Sequence, residues 1–110
     1  MSQHYIYILD VGYDNLYKIG QSSNFNKSLK MLRRANPRLA LYTRFPVKKR
    51  KWALQIEAVV HVQFERNRYP DPELTGIYSL DSYALEKVER FIWHAIQNTN
   101  SDVAMPLASD

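Results

Sequence analysis

The chain contains no cysteine, only three glycines, and no apolar segment near the ~20 residues that a membrane-spanning helix needs. The lack of cysteine excludes a disulfide framework and thiolate metal sites. The first residues lack the basic start and apolar stretch of a signal peptide, so we expect a cytoplasmic protein without membrane association. Its 110 residues, 45% hydrophobic and 24% charged, predict one globular domain.

Acidic residues are also missing from the segment between Lys27 and Ile56, which carries ten basic residues. The net charge of +4 therefore conceals a strongly basic first half. A field of one sign favours polyanions, and DNA first among them. The alternative is that these side chains are only a solvated helix face and loop. Binding to DNA should weaken steeply with salt, because each phosphate contact contributes roughly −0.9 to the slope of log K against log salt.

The spacing of apolar residues predicts the order strand, strand, helix, strand, helix, short strand, helix. We therefore expect an α/β (α+β) fold in which a small, mostly antiparallel sheet of three to four strands is flanked by three helices. The domain should cover residues 1–97, with a flexible C-terminal tail over 98–110. The predicted strands are 4–10, 16–20, 39–45 (ended by Pro46) and 77–80; the predicted helices are 24–35, 50–66 and a third that begins at Asp81 or Ser82.

Two short motifs lie on the predicted first hairpin. Tyr5-Ile6-Tyr7 stands on its first strand and Lys18-Ile19-Gly20 on its second, and Glu57 follows on a later helix with His61 and Phe64. Over roughly residues 4–80 this arrangement resembles the GIY-YIG nuclease family, in particular its small branch common in bacteriophage proteins. The resemblance implies a GIY-YIG-like fold and metal-assisted hydrolysis of a phosphodiester bond.

The resemblance also assigns roles to individual residues. Tyr7 would act as base or water positioner, and Lys18 would be the cation that brings the pKa of Tyr7 down from its ordinary value near 10. Glu57 would hold one Mg²⁺ or Mn²⁺ ion, which stabilises phosphate charge as a Lewis acid. Tyr5 and His61 are further catalytic candidates on the same strand face and the same helix face.

Two positions depart from the family pattern. Lys18 replaces the tyrosine of the second motif, and Tyr17 cannot stand in because adjacent strand residues face opposite sides of a sheet. Ser28 stands where the family has an arginine, and serine cannot stabilise phosphate charge. The loss of such a group can cost orders of magnitude in rate.

Each candidate also has an ordinary structural interpretation. Glu57 could be an exposed helix carboxylate, and His61 a partly buried histidine without a chemical role. Tyr5 and Tyr7 could be core tyrosines. For His61 the structural interpretation is preferred; for the other three residues it would be preferred without the hairpin motif.

The predicted DNA-contacting residues lie on the basic helix and on the loop before the next helix: Lys27, Lys30, Arg33, Arg34, Lys48, Lys49, Arg50 and Lys51. The last four also resemble a nuclear localisation patch, although phosphate contact is preferred. Four aromatic residues, Tyr13, Tyr17, Tyr42 and Trp52, are interleaved with this basic stretch. They could stack on unpaired bases or belong to the core and the edge strand.

The sequence therefore predicts a small GIY-YIG-type protein that binds DNA and whose metal-dependent cleavage is weak or lost. The alternative is a catalytically inactive, phage-type interaction module that inhibits a host enzyme or a defence complex. A homodimer without a nucleic-acid role is a third possibility. Oligomeric state, host partner and DNA preference stay open.

Overall fold

The computed structural model describes residues 4–71 and 76–100, apart from the side chain of Asn100. A short 3-10 turn at Glu65–Asn67 follows the second helix. The order predicted from the sequence is confirmed: β1 (His4–Asp10), β2 (Leu16–Ser22), α1 (Phe25–Ala35), β3 (Ala40–Val47), α2 (Arg50–Gln63), β4 (Ile77–Ser79) and α3 (Ser82–Asn100).

The four strands form one open antiparallel sheet in the order β3-β1-β2-β4. Tyr7 lies opposite Gly20 and Leu9 lies opposite Lys18 in the pairing of β1 with β2. The two motif-bearing strands are therefore the inner strands of the sheet. The predicted α+β fold, with three helices and an antiparallel sheet, is confirmed.

Side chains of opposite sheet faces enter two separate clusters, because successive strand residues alternate in direction. One cluster lies between the sheet and the helices α2 and α3, and a smaller one lies against α1. The first contains Ile6, Ile8 and Ile19 of the sheet with Ala53, Ile56, Val60, Leu85, Val88 and Ile92 of the helices. The second contains Tyr7, Leu9, Val11, Phe25, Leu39 and Ile77, with Leu29 and Leu32 packed against it.

The β1–β2 turn requires a glycine at position 12. Gly12 has φ of +93°, and its N–H donates to the Asp10 carboxylate at 2.8 Å. A Cβ atom at Gly12 would lie 2.5 Å from the Cβ of Arg38, so the turn closes tightly on the α1–β3 connection. Only a residue without a side chain permits both the backbone angle and this approach.

Helix boundaries follow the capping residues. The side chain of Asn24 accepts a hydrogen bond from the N–H of Lys27, and the helix α1 ends at Ala35, with Asn36 as its C-cap before Pro37. For α3, the Asp81 carboxylate accepts from the N–H of Ala84 at 2.8 Å, so Asp81 is the capping side chain of the two predicted.

Several predicted element boundaries differ by a few residues; β2 ends at Ser22 and not at residue 20, and α2 ends at Gln63 and not at residue 66. Pro46 does not end β3, which continues to Val47, because a proline without an N–H is tolerated on an edge strand. The helix α3 continues to Asn100, three residues past the predicted domain end at residue 97. There the Thr99 side chain is buried and its hydroxyl donates to the carbonyl of Ile96. Residues 101–110 of the predicted tail lie outside the described residues.

Among the helices of residues 4–71 and 76–100, none has the length and apolar character that crossing a bilayer requires.

Candidate functional site

The two inner strands bring Tyr7 and Lys18 to the same face of the sheet. Tyr7 pairs with Gly20, and Lys18 pairs with Leu9, two residues further along β1. Tyr7 and Lys18 are therefore diagonal neighbours on the face that α1 covers. The ring of Tyr7 lies over Gly20, where a Cβ atom would be 2.5 Å from the phenol oxygen. The glycine of the second motif is thus a packing requirement of the tyrosine of the first.

Burial controls the ionisation of both side chains. The pKa of the Tyr7 phenol is raised above its ordinary value, first by burial and second by the negative charge of Glu57. Burial lowers the pKa of the Lys18 ammonium, and the attraction of Glu57 partly offsets that effect. The expectation that Lys18 would lower the pKa of Tyr7 is therefore wrong. Desolvation of the phenol is the dominant effect, and it keeps Tyr7 protonated at neutral pH.

Helix α2 supplies a second group of polar side chains. His61 Nε2 lies 3.9 Å from the Glu57 carboxylate, one helical turn away. The other ring nitrogen, Nδ1, shares a hydrogen bond with the phenol of Tyr78, and the two rings are stacked with centroids 5.5 Å apart. A neutral His61 that accepts this hydrogen bond carries its own proton on Nε2, facing Glu57.

Glu57 connects the two groups of side chains. Its charge raises the pKa of Tyr7 on β1, of Lys18 on β2 and of Tyr78 on β4. Three strands therefore place ionisable groups within electrostatic range of one carboxylate on α2. Perturbed ionisation of this kind, with a charged partner, marks candidate functional sites.

Tyr78 and Arg68 were not among the residues selected from the sequence. Arg68 forms an isolated antiparallel bridge with Tyr78, and its guanidinium lowers the pKa of that phenol, whereas burial has the larger, opposite effect. The Arg68 side chain is exposed. A single arginine near a short β-strand produces no recognisable sequence pattern. Its position beside Tyr78 follows only from the pairing of the two segments in the fold.

Ser28 occupies the position at which the family pattern has an arginine. Its hydroxyl is hydrogen-bonded to that of Ser22 at 2.6 Å, and the Ser22 hydroxyl also accepts from the N–H of Asn24. These bonds join the end of β2 to the first turn of α1. Ser28 thus has a local structural partner and contributes no charge to the site.

Tyr5 lies next to the site in a cluster of aromatic rings and a cation. It packs edge-to-face on Phe25, and the guanidinium of Arg44 lies 4.6 Å from the centre of its ring. Arg44 is exposed and lies opposite Tyr7 on β3. The sequence reasoning missed Arg44, which adds a positive charge to the face that carries Tyr7.

The eight predicted DNA-contacting side chains are all exposed. Four lie along α1, where Arg33 donates from Nε to the carbonyl of Leu39. The others lie in the β3–α2 loop and the first turn of α2, where Lys49 Nζ lies 4.9 Å from the centre of the Trp52 ring. Val47 pairs with His4, so this loop lies at the end of the sheet where β1 begins. Cations therefore extend from α1 to that end of the molecule.

These features define a small α+β domain with a tyrosine and a lysine on the sheet face toward α1 and a glutamate and a histidine on α2. Residues 4–91 match the T5orf172 domain, and the match covers most of the 110-residue chain. The chain belongs to this family, a phage-associated domain. Searches of the curated proteins and of the solved structures gave no match.

Proposed function

We propose that this chain is a phage-type, GIY-YIG-like domain of the cytoplasm that binds DNA and slowly cleaves a phosphodiester bond with a divalent metal ion. One observation carries the proposal: the Glu57 carboxylate acts on Tyr7, Lys18 and Tyr78 from three different strands. A nuclease needs a metal ligand, a water positioner and a cation in one place. Membership of the T5orf172 family and the motifs on β1 and β2 support the same assignment.

The metal would be held by Glu57. Mg²⁺ keeps several waters and commonly takes only one or two protein carboxylates, with substrate phosphate completing its shell. In the described part of the chain there is no group of three or more histidine, aspartate or glutamate side chains that could hold an ion. The residues therefore fit an ion completed by DNA, and do not fit a permanent structural metal. Bound there, Mg²⁺ or Mn²⁺ would supply Lewis-acid stabilisation of phosphate charge.

The roles of the protein groups follow from their ionisation. A protonated Tyr7 orients the attacking water through its phenol oxygen and is a poor proton acceptor at neutral pH. Lys18 faces the same side of the sheet and attracts the phosphate. In the other tautomer of His61, in which the Nδ1–H donates to the phenol of Tyr78, Nε2 is unprotonated beside Glu57 and is our candidate for accepting the proton of that water.

Arg68 is our candidate for the phosphate-stabilising charge that Ser28 lacks. Its guanidinium acts electrostatically on the phenol of Tyr78, which is hydrogen-bonded to His61. The planar fork of a guanidinium binds phosphate oxygens in pairs. Because Arg68 comes from a segment that follows α2 and not from α1, it would approach the phosphate from a different side than the family arginine.

Nicking of a supercoiled plasmid with Mg²⁺ or Mn²⁺ tests the proposal. The wild-type chain should nick the plasmid, and Glu57→Gln and Tyr7→Phe should each lower the rate by about 100-fold or more. Glu86→Gln is the matched control, since this carboxylate lies on α3 in a surface pair with Arg90. Nicking that persists in Glu57→Gln, or in EDTA, would contradict the assigned site.

A second function is favoured by the bond between Ser28 and Ser22, which uses a catalytic position for local structure. In this alternative the domain is an inactive interaction module that inhibits a host enzyme or a defence complex. It predicts no nicking under any metal condition and no effect of Glu57→Gln on partner binding. Salt-sensitive retardation of DNA without cleavage would leave the DNA-binding part of the first proposal intact.

A further inference from the structure

A cleft opens on the α1 side of the sheet, next to Lys18. Its walls are the β1–β2 turn, the last turn of α1 with the connection to β3, and the side chains of Tyr69 and Ile77. The cleft encloses about 960 Å³, which is within the range of natural ligand sites. Lys18 lines it and also belongs to the Tyr7–Glu57 site. A ligand in the cleft would therefore adjoin the proposed scissile phosphate.

The walls combine apolar surface with two tyrosine rings. Leu32, Leu39 and Ile77 supply apolar side chains, and Tyr13 and Tyr69 supply the rings. Tyr13 is 58% exposed, so its ring is accessible to a ligand. Flat apolar surface with an accessible aromatic ring is the arrangement on which nucleobases stack in single-strand-binding proteins.

The cleft is held in shape by contacts that need no ligand. Arg38 lies over the Tyr13 ring at 5.2 Å, and the missing side chain of Gly12 lets the turn approach Arg38. The amide of Asn36 donates to the carbonyl of Val11 and accepts from the N–H of Arg38. The turn and the α1–β3 connection are therefore joined, so Tyr13 is presented by a preorganised wall.

The charge of the cleft suits an anion. Lys18 and Arg38 are among its lining residues, and no aspartate or glutamate is among those that the structure describes there. The carboxylate of Asp10, in the same turn, is engaged by the N–H of Gly12. An apolar interior with cations at its rim matches a base attached to a phosphodiester backbone.

We propose that this cleft receives one unpaired nucleobase of a DNA strand, with the flanking phosphates on Lys18 and Arg38. This rests on the proposed function, because it places the base beside the bond to be cleaved. In a regular duplex every base is stacked and paired, so entry requires a single-stranded or locally opened substrate. The domain then prefers single strands and junctions over continuous duplex.

Binding measured without catalysis tests the proposal. Fluorescence anisotropy of a labelled 12-nucleotide thymidine strand and of a duplex of the same length, both in EDTA, gives the two affinities for the full chain. Tyr13→Ala should weaken single-strand binding by roughly 5- to 100-fold, the range that loss of one stacked base gives, and change duplex binding less than twofold. Ala35→Trp, which adds bulk to the α1 wall of the cleft, should have the same effect while leaving Tyr13 in place.

The matched control is Tyr83→Ala. Tyr83 is also exposed and carries a cation over its ring, Lys87 at 4.8 Å, but it lies on α3. The proposal is overturned if Tyr13→Ala and Ala35→Trp weaken single-strand binding no more than Tyr83→Ala, or weaken duplex binding equally. Because no metal is present, the binding measurement is independent of nicking. A chain that does not cleave DNA can still show the expected loss of single-strand binding, and a chain that cleaves DNA can lack it. Circular dichroism of each variant confirms that it is folded.

Discussion

The phenol of Tyr7 occupies the space above Gly20, so that a Cβ atom at position 20 would lie 2.5 Å from its oxygen and 2.6 Å from the ring carbon that bears it. Tyr7 is 6% exposed, and its ring also packs edge-to-face on Phe25. The ring therefore cannot move away without opening the smaller core cluster. The position of the proposed water-orienting group depends on the absence of one methyl group on the neighbouring strand.

Gly20→Ala should consequently both destabilise the domain and remove cleavage. Overpacking of a buried site typically costs about 1–3 kcal/mol of unfolding free energy. Urea denaturation followed by circular dichroism measures the loss. The double variant Tyr7→Leu/Gly20→Ala should recover part of the stability without recovering cleavage. A stable and fully active Gly20→Ala chain would contradict the tight contact.

Arg68→Ala should slow plasmid nicking by about 10²- to 10³-fold if its guanidinium stabilises the phosphate, as removal of one such donor does in other enzymes. Arg68→Lys should recover only part of the rate, because an ammonium lacks the planar fork. Arg66→Ala, a nearby exposed arginine, is the control. Equal rates for the Arg66 and Arg68 variants would remove Arg68 from the site.

Stability should fall at alkaline pH. Burial is the largest cause that raises the pKa of four tyrosines, Tyr7, Tyr17, Tyr42 and Tyr78. Each holds its proton more tightly when folded, so its contribution is complete below pH 10 and is lost as pH rises through the raised value. Lys18 has a lowered pKa, so its effect on stability has the opposite sign. Its desolvation penalty is relieved as it deprotonates, and stability therefore rises with pH through its titration.

The urea midpoint measured from pH 8 to 11.5 should therefore decline above about pH 10. Tyr7→Phe should make that decline shallower, because phenylalanine has no proton to lose. Tyr13→Phe is the comparison, as that tyrosine is exposed and should leave the profile unchanged. A decline that is equally steep in both variants would show that Tyr7 does not contribute to it.

The charge of α1 should appear in the salt dependence of DNA binding. Lys30→Gln should reduce the slope of log K against log salt by roughly 0.9 if Lys30 contacts one phosphate of a duplex. Lys87→Gln on α3 removes the same charge from the face away from α1 and should leave the slope unchanged. Equal slopes in the two variants would show that Lys30 does not contact a phosphate of the duplex.

Local patterns predicted most of the fold. The β1–β2 hairpin and α1 follow from alternation, turn residues and the Asn24 cap, all encoded within a few positions. The ends of β3 and α3 have non-local causes. Pro46 is tolerated because β3 has no neighbour on its outer edge, and the helix α3 extends through polar residues because Thr99 is buried.

The candidate site was only partly accessible to sequence reasoning. Tyr7, Lys18 and Glu57 were selected through a resemblance, and their electrostatic coupling required the folded chain. Tyr78 and Arg68 were missed, since their relation to His61 depends on a bridge between segments ten residues apart. The predicted direction of the Tyr7 pKa shift was wrong, because the burial of a side chain cannot be inferred from a short motif.

The packing of Tyr7 on Gly20 has a consequence for how this domain changes under selection. Both residues are buried in the centre of the sheet, so selection for stability alone would preserve them even in a chain that does not cleave DNA. Glu57 is half-buried on the surface of α2 and belongs to neither core cluster. Substitution of the glutamate with the hairpin motif intact would therefore mark a family member in which the proposed cleavage is absent.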